Sequence, residues 1–322
     1  MKLNYPKIWY KKNIFSYILL PISFIYGLCF AIDKAISSKV KFNKKLIAIG
    51  GCTVGGSGKT PLAIKLAEIL QAKKLDFLFL AKGYKAEIKN PYLLTGVNEA
   101  KEVGDEALLL SKIAKTIISD KKYAAKNLIE GQDEEIVIID DALQHHKIDA
   151  DIKIMVVDGE FLFGNGMILP AGPLRENPEK LMQKSDFIIV INSDDKEHEI
   201  FQRFANKIFY AEYKFPKISK SQDKYFAFSA LANNQKFKTV LERLDINLCG
   251  FKEFSDHYLY QEEDLDVLIE YADKENMKLI TTSKDFVKIP KKYHSQIKEF
   301  KISLDLIGEK EFTKLLIQKL LC

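Results

Sequence analysis

The sequence predicts an α/β fold: a parallel sheet with helices on both faces, followed by a smaller C-terminal α/β unit. Three observations carry this prediction. Short apolar runs alternate with helical patterns, one run ends in a glycine-rich turn, and the alternation resumes beyond a polar connector at Lys214 to Lys224. At 322 residues and 47% hydrophobic content, the chain has room for about two domains and a sizeable core. The expected division is an N-terminal hydrophobic segment at 1–45, a core at 46–218 and a smaller domain at 219–322. The last helix of that domain, 309–321, can pack back on the core.

The first element is "IFSYILLPISFIYGLCFAI", Ile14 to Ile32, which has no charged residue and is nearly long enough to cross a bilayer. Lys2, Lys7, Lys11 and Lys12 precede it, and Lys34, Lys39, Lys41, Lys44 and Lys45 follow it. A span would put one basic cluster outside, against the positive-inside tendency, so spanning is disfavoured. Pro21 and Gly27 are expected to interrupt the helix. Tyr10, Phe15, Tyr17, Phe24 and Tyr26 suit the headgroup boundary, which favours a monotopic helix lying in the membrane surface. A buried helix or helix pair is the alternative.

The next element, "IAIGGCTVGGSGKTPLAIKLAEIL", Ile47 to Leu70, reads as strand, turn and helix. Backbone N–H groups in such a turn, together with a helix N-terminus, surround phosphate oxygens, so a nucleoside triphosphate and a P-loop NTPase-like sheet are expected. Thr53, Val54, Gly55, Gly56, Ser57, Gly58, Lys59 and Thr60 form the loop. The glycines allow close backbone approach, Lys59 reaches the terminal phosphates, and Thr60 offers its hydroxyl to Mg2+. Pro61 falls in the first helical turn, where its missing N–H costs nothing. Thr53 stands where the usual pattern opens with glycine. A turn that binds nothing is the bland alternative, and the strand and helix flanks weigh against it.

"FLFLAKGY", "TIISD", "EIVIIDDALQ", "DIKIMVVDG" and "DFIIVINS" then read as buried strands. Their carboxyl ends place Lys82-Gly83-Tyr84, Asp120, Asp140-Asp141, Asp158 and Asn192 on the rim that carries the glycine-rich loop. "YFAFSAL", "NLCGFKEF", "KLITTSKDF" and "FKISLDL" predict the strands of the smaller unit, closed by a helix from Glu309 to Leu321.

Phosphoryl transfer needs a magnesium ligand, a proton acceptor and cations besides the phosphate cradle. Asp140 and Asp141, directly after a strand, suit the metal, although strand-end aspartates also cap helices. On spacing alone Asp105, in "EVGDEALLL", reads as a helix N-cap. His145 and His146 lack further His or Cys at ligand spacing, so a zinc site is rejected and hydrogen-bonded neutral roles are favoured. In "FGNGMILPAGPLREN", Arg175 is available to a phosphate or carboxylate. His257, in "FSDHYLY", either faces the cleft or packs. The net charge of +5, spread over many lysines with nearly as many carboxylates, falls short of a nucleic-acid signature and suits a surface that meets anionic lipid. Cys29, Cys52, Cys249 and Cys322 lie far apart and read as reduced thiols of a cytoplasmic protein.

"TVGGSGKTP", "KGY", "VGDEALLL", "DDALQHHKIDADI", "FGNGMILPAGPLRE", "FSDHYLY" and "TTSKDFVK" occur in the order found in the tetraacyldisaccharide 4'-kinase family, which the chain resembles from about Ile47 to Lys288. The resemblance implies transfer of the ATP γ-phosphate to the 4'-hydroxyl of tetraacyldisaccharide 1-phosphate, a glycolipid, making lipid IVA. It places the protein on the cytoplasmic face of the bacterial inner membrane, with ATP and Mg2+ as cofactors and no obligate protein partner. By matched motif it implies Thr53 to Thr60 as the ATP loop, Asp140 and Asp141 as magnesium and ATP carboxylates, and Asp105 as general base, overriding the N-cap reading. His257 resembles a residue that approaches the nucleotide from the second domain, and Tyr84, His146 and Arg175 match positions near sugar and phosphate groups. Three departures stand out: Lys82 and Lys85 in place of Arg and Gly, Ala142 in place of Gly, and lysine at 121 and 122 where the family tends to have Arg. Lysine keeps the charge but loses two-pronged hydrogen bonding.

Two rival classes use the same loop. A GTP-driven switch or metallochaperone needs an Asn-Lys-x-Asp motif, for which "NSDD" at 192–195 is a poor match, with Ser193 in place of Lys. A membrane-tethered partition or scaffold ATPase predicts hydrolysis stimulated by protein or DNA. Neither has a use for "FGNGMILPAGPLRE".

Overall fold

The structure, a computed structural model, describes residues 6–193, 198–218 and 223–321. Asp194 and Asp195 of the "NSDD" run, part of the Lys214 to Lys224 connector, Lys2 and Cys322 lie outside the described residues. Thirteen strands follow in chain order: β1 Lys45–Gly50, β2 Phe77–Ala81, β3 Tyr92–Leu93, β4 Thr116–Ile118, β5 Ile136–Ile139, β6 Ile152–Asp158, β7 Phe187–Ile191, β8 Ile208–Lys214, β9 Lys224–Ser229, β10 Leu248–Glu253, β11 Met277–Thr282, β12 Ile297–Phe300 and β13 Ser303–Leu306.

Nine of these make one sheet in the order β13-β8-β7-β6-β1-β5-β2-β4-β3, and four make a second in the order β10-β9-β11-β12. The large sheet is parallel except at its edges, where β3 runs antiparallel to β4 and β13 antiparallel to β8. The second sheet is parallel throughout. The central strands are continuous apolar runs because both faces are covered: β2, β5 and β7 are buried at every position. One face packs on the helix Lys59–Ala72 through Leu62, Leu66 and Leu70, and the other on Ile129, Ala142 and Ile148. β1 lies between β5 and β6, which puts the loop after β1 beside the carboxyl ends of both neighbours.

Two expectations are corrected. "FKISLDL" is not one strand of the smaller unit; its Phe300 ends β12 in the second sheet, and its last four residues are β13 in the large one. Through β13 the chain returns to the large sheet, and Phe312 of the following helix, Glu309–Leu321, packs edge-on against Phe187 and Phe209. The N-terminal apolar run is likewise divided differently from its sequence reading. A short helix, Ile14–Ile18, is followed by Leu20–Ile36, with Pro21 in its first turn, where no N–H is needed, and Gly27 passing through the helix without a break.

These two N-terminal helices are amphipathic in an inverted sense. Their buried residues are Ser16 and Ser23, while Phe24 is 76% exposed and Ile14, Phe15, Ile18 and Ile25 are also open to solvent. Ser23 Oγ donates to Ile168 O (2.9 Å) and accepts from Ala171 N (3.1 Å). Trp9 Nε1 donates to Pro170 O (2.9 Å), and Asn165 Nδ2 to Ile8 O (2.8 Å). Polar contacts therefore dock the segment on the 163–177 loop and leave its apolar side outward. Among the described residues, no helix is long and apolar enough to cross a membrane.

Candidate active site

The glycine-rich turn spans the end of β1 and the start of the helix at Lys59. Gly55 and Gly58 sit at φ 104° and 90°, and a Cβ on Gly58 would lie 2.9 Å from the Tyr213 hydroxyl, so conformation and space both demand glycine there. Thr53 needs no such freedom. It pairs in extended fashion with Leu174, Val54 N donates to Pro173 O (2.9 Å), and Arg175 N donates to Cys52 O (2.7 Å). The turn is thus stitched to the "LPAGPLRE" segment, which explains how the chain does without the usual first glycine. Lys59 Nζ folds back to donate to Gly55 O (3.3 Å) and stands 3.7 Å from Asp141 Oδ1.

Asp140 and Asp141 are adjacent in sequence but do different things. Thr60 Oγ1 donates to Asp140 Oδ2 (3.0 Å), while the buried Oδ1 has no partner among the described residues. Burial, with help from the negative charge of Glu106, pushes the Asp140 carboxyl up to about 6. Asp141 is held at φ 51° and receives both of its oxygens' bonds from Arg175 Nη1 (3.0 and 3.1 Å). Burial would raise it as well, but Lys59 and Arg175 outweigh that effect and hold it at about 2. An orphaned oxygen of a strand-end carboxylate, whose other oxygen meets a threonine hydroxyl in the first turn of a helix, fits a hard divalent cation that takes its remaining ligands from phosphate and water. Among the described residues, no group of three His, Cys, Asp or Glu is placed to hold a metal, so protein carboxylates alone do not make the site.

Asp105 is not the N-cap of its helix. Gly104, at φ 87°, takes that place, and Asp105 is the first helical residue. Its Oδ1 accepts from Glu106 N (2.8 Å), and its Oδ2 lies 2.8 Å from His257 Nδ1, a residue of the second unit 152 positions away. Burial would raise the Asp105 carboxyl, but the His257 hydrogen bond and the charge of Lys284 bring it down to about 2. The Tyr84 ring lies 4.9 Å from His257. The structure therefore brings Asp105, His257 and Tyr84 together in one group, and Thr53 to Thr60, Asp140, Asp141 and Arg175 in another. Glu106 lies close enough to both for its charge to act on Asp140.

With this geometry in view, comparison with known proteins is informative. The family model of LpxK, tetraacyldisaccharide-1-P 4'-kinase, matches residues 15–321. The chain belongs to this family. It is similar to the tetraacyldisaccharide 4'-kinase of Rickettsia canadensis (strain McKiel), at 38% identity over 291 residues and 89% of each chain. It is also similar to that of Rickettsia akari (strain Hartford), at 36% identity over 319 residues and 98% of each. Its fold is similar to LpxK from Aquifex aeolicus, solved in complex with ATP, with a TM-score of 0.79 and 26% identity over 95% of this chain and all of that one.

Against the LpxK pattern, the departures acquire physical content. Lys85, where the family has Gly, sits at φ 57°, a left-handed conformation that glycine adopts freely. In compensation its Nζ donates to Asp256 O (3.3 Å), next to His257. Ala142, also in place of Gly, is buried and needs no positive φ, since Asp141 makes the left-handed turn instead. Lys122 is the residue that sequence reasoning undervalued. It is 1% exposed, and its Nζ donates to the main-chain carbonyls of Asp140 and Asp141, the latter at 2.7 Å. Burial brings its ammonium down to about 8. His146 stands apart from the carboxylates, with its ring 4.7 Å from Phe30 of the N-terminal helix and its buried Nε2 without a partner among the described residues. Burial pushes His145 down to about 4. Gln144 and Glu176 were also missed. Gln144 Nε2 donates to Gly51 O and Glu176 Oε1 (both 3.0 Å), bracing the loop after Asp141 against the phosphate turn.

Proposed function

We infer that the protein transfers the γ-phosphate of ATP to the 4'-hydroxyl of tetraacyldisaccharide 1-phosphate, forming lipid IVA at the cytoplasmic face of the bacterial inner membrane. The observation that carries this reading is the 2.8 Å contact between Asp105 Oδ2 and His257 Nδ1, directly beside Glu106, whose charge reaches Asp140. On this reading the carboxylate and the imidazole meet the acceptor hydroxyl as it approaches the terminal phosphate.

Each residue's part follows from its surroundings. The turn from Thr53 to Thr60 presents N–H groups and a helix N-terminus to the β- and γ-phosphates. Lys59 leaves Gly55 O and Asp141 to neutralise the terminal oxygens, and Arg175 keeps Asp141 ionised and oriented. Thr60 and Asp140 would hold Mg2+, which when bound neutralises charge on the phosphate oxygens. Asp105 takes the hydroxyl proton. A carboxylate held at about 2 is a weak base alone, and the bond to His257 spreads the incoming proton over a pair. Tyr84, His146 and Arg175 are the proposed contacts to the sugar and its phosphate. The division of labour is between a core of 46–218, completed by β13 and the last helix, and a smaller unit between them that brings His257. No protein partner or nucleic acid is invoked.

The inverted N-terminal helices support a monotopic place on the membrane, since an apolar side facing outward suits an acyl-chain boundary and brings the enzyme to a lipid-borne substrate. The test is incubation of purified protein with γ-labelled ATP and the disaccharide 1-phosphate. Label in a glycolipid, lost with Lys59→Ala, is expected. Hydrolysis without any labelled lipid would refute the reading in favour of an ATPase switch.

A further inference from the structure

The run "TTSKDFVK", Thr281 to Lys288, has no part in the chemistry above, yet it bonds to the immediate neighbours of both halves of the Asp105–His257 pair, Glu106 and Ala230. Its inward side is Asp285, which is fully buried. Asp285 Oδ1 accepts from Tyr260 OH (3.0 Å) and Ala230 N (3.1 Å), Thr282 Oγ1 donates to Oδ2 (2.7 Å), and Lys288 Nζ stands 2.8 Å from Oδ1. Ala230 O in turn accepts from His257 N (3.2 Å). His257 is held at φ 60°, a left-handed conformation that a residue with a Cβ keeps only where its surroundings over-determine it. Its outward side is Lys284, which leaves the second unit and places Nζ 2.9 Å from Glu106 Oε1. Glu106 follows Asp105 directly, and its N–H is the donor to Asp105 Oδ1.

We propose that this turn is a positioning clamp for the transfer reaction. Asp285 fixes the strand-end peptide from which His257 hangs, and Lys284 ties that unit to the helix start that carries Asp105. A single short turn thereby sets the distance between a base and its partner that come from separate sheets. The inference rests on the reading of Asp105 and His257 as the proton-accepting pair. An exposed ion pair alone does little for stability, but an error of about 1 Å in a reacting geometry costs on the order of 100-fold in rate.

The experiment is a double-mutant cycle on the full-length enzyme with labelled ATP and the disaccharide 1-phosphate. Lys284→Met should lower kcat about tenfold with little change in KM for ATP, and Lys284→Arg should recover most of it. In a His257→Ala background the same Lys284→Met change should cost less than about twofold, because the pair it positions is already gone. Circular dichroism checks that each variant is folded. An equal loss in both backgrounds would mean a merely structural ion pair and would overturn the clamp, as would unchanged kcat in Lys284→Met. Full turnover by His257→Ala would instead overturn the reading on which the clamp depends. Asp285→Asn serves as a second variant, expected to lower kcat with the same dependence on His257.

Discussion

On the proposed reading Asp140 holds a cation, and its burial costs the metal-free protein stability by an amount that can be measured. Its carboxyl is raised from an ordinary 3.8 to about 6, chiefly by burial. A group whose folded value lies above its unfolded one favours the fold below the unfolded value and loses that contribution as pH rises through the folded one. Raising the pH from about 4 to 7 should therefore destabilise the metal-free protein, relative to Asp140→Asn, by about 2 kcal/mol. The amide has a fixed cost of its own, since its NH2 takes the place of a buried oxygen that lacks a partner among the described residues. That cost is the same at every pH and cancels in the comparison. The assay is urea unfolding of both proteins in EDTA, followed by circular dichroism at pH 4 to 7. The difference in unfolding free energy should swing in favour of the variant across that window, and saturating Mg-ATP should restore the parent but not the variant. Parallel stability curves for the two proteins would refute the reasoning.

Asp105→Ala should leave ATP binding nearly intact, as read by calorimetry, while turnover falls by about 10² to 10⁴-fold; an unchanged kcat would remove its role as base. Lys122→Met strips two carbonyls of a buried donor and should destabilise the protein by about 2 kcal/mol while raising KM for ATP, checked by thermal melts and initial rates. Phe24→Glu with Ile25→Glu should reduce partition into anionic vesicles at least tenfold without lowering the melting temperature, because both side chains are exposed; retained flotation with vesicles would argue against membrane-surface attachment.

The fold was largely legible because the central strands are buried on both faces, so that "FLFLA" and "IVII" announce themselves without any need for alternation. The glycine-rich turn between β1 and its helix was legible from glycines, two of which adopt positive φ. The two-residue β3 and the separation of β12 from β13 were not, since their pairing is decided by partners far away in sequence. In the site, Asp140 and Asp141 could be placed at a strand end, but their division into an orphaned acid and an arginine-bound one depends on Arg175, 34 residues away. Local spacing suggested that Asp105 caps a helix; Gly104 does so, and only the arrival of His257 from the second sheet shows what the aspartate faces. Lys122 stood out only as a lysine where the resembled family tends to have Arg, because burial against two main-chain carbonyls leaves no spacing pattern.

The return of the chain through β13 bears on how the molecule could be cut. Lys214 at the end of β8 and Ser303 at the start of β13 are cross-strand neighbours, so everything between them is a loop whose two feet stand side by side. Ending the chain after β8 would strip an edge strand and the final helix from the large sheet and bare Phe187 and Phe209. Joining residue 214 to 303 through a short glycine turn keeps both, which makes the segment a removable jaw rather than a C-terminal half.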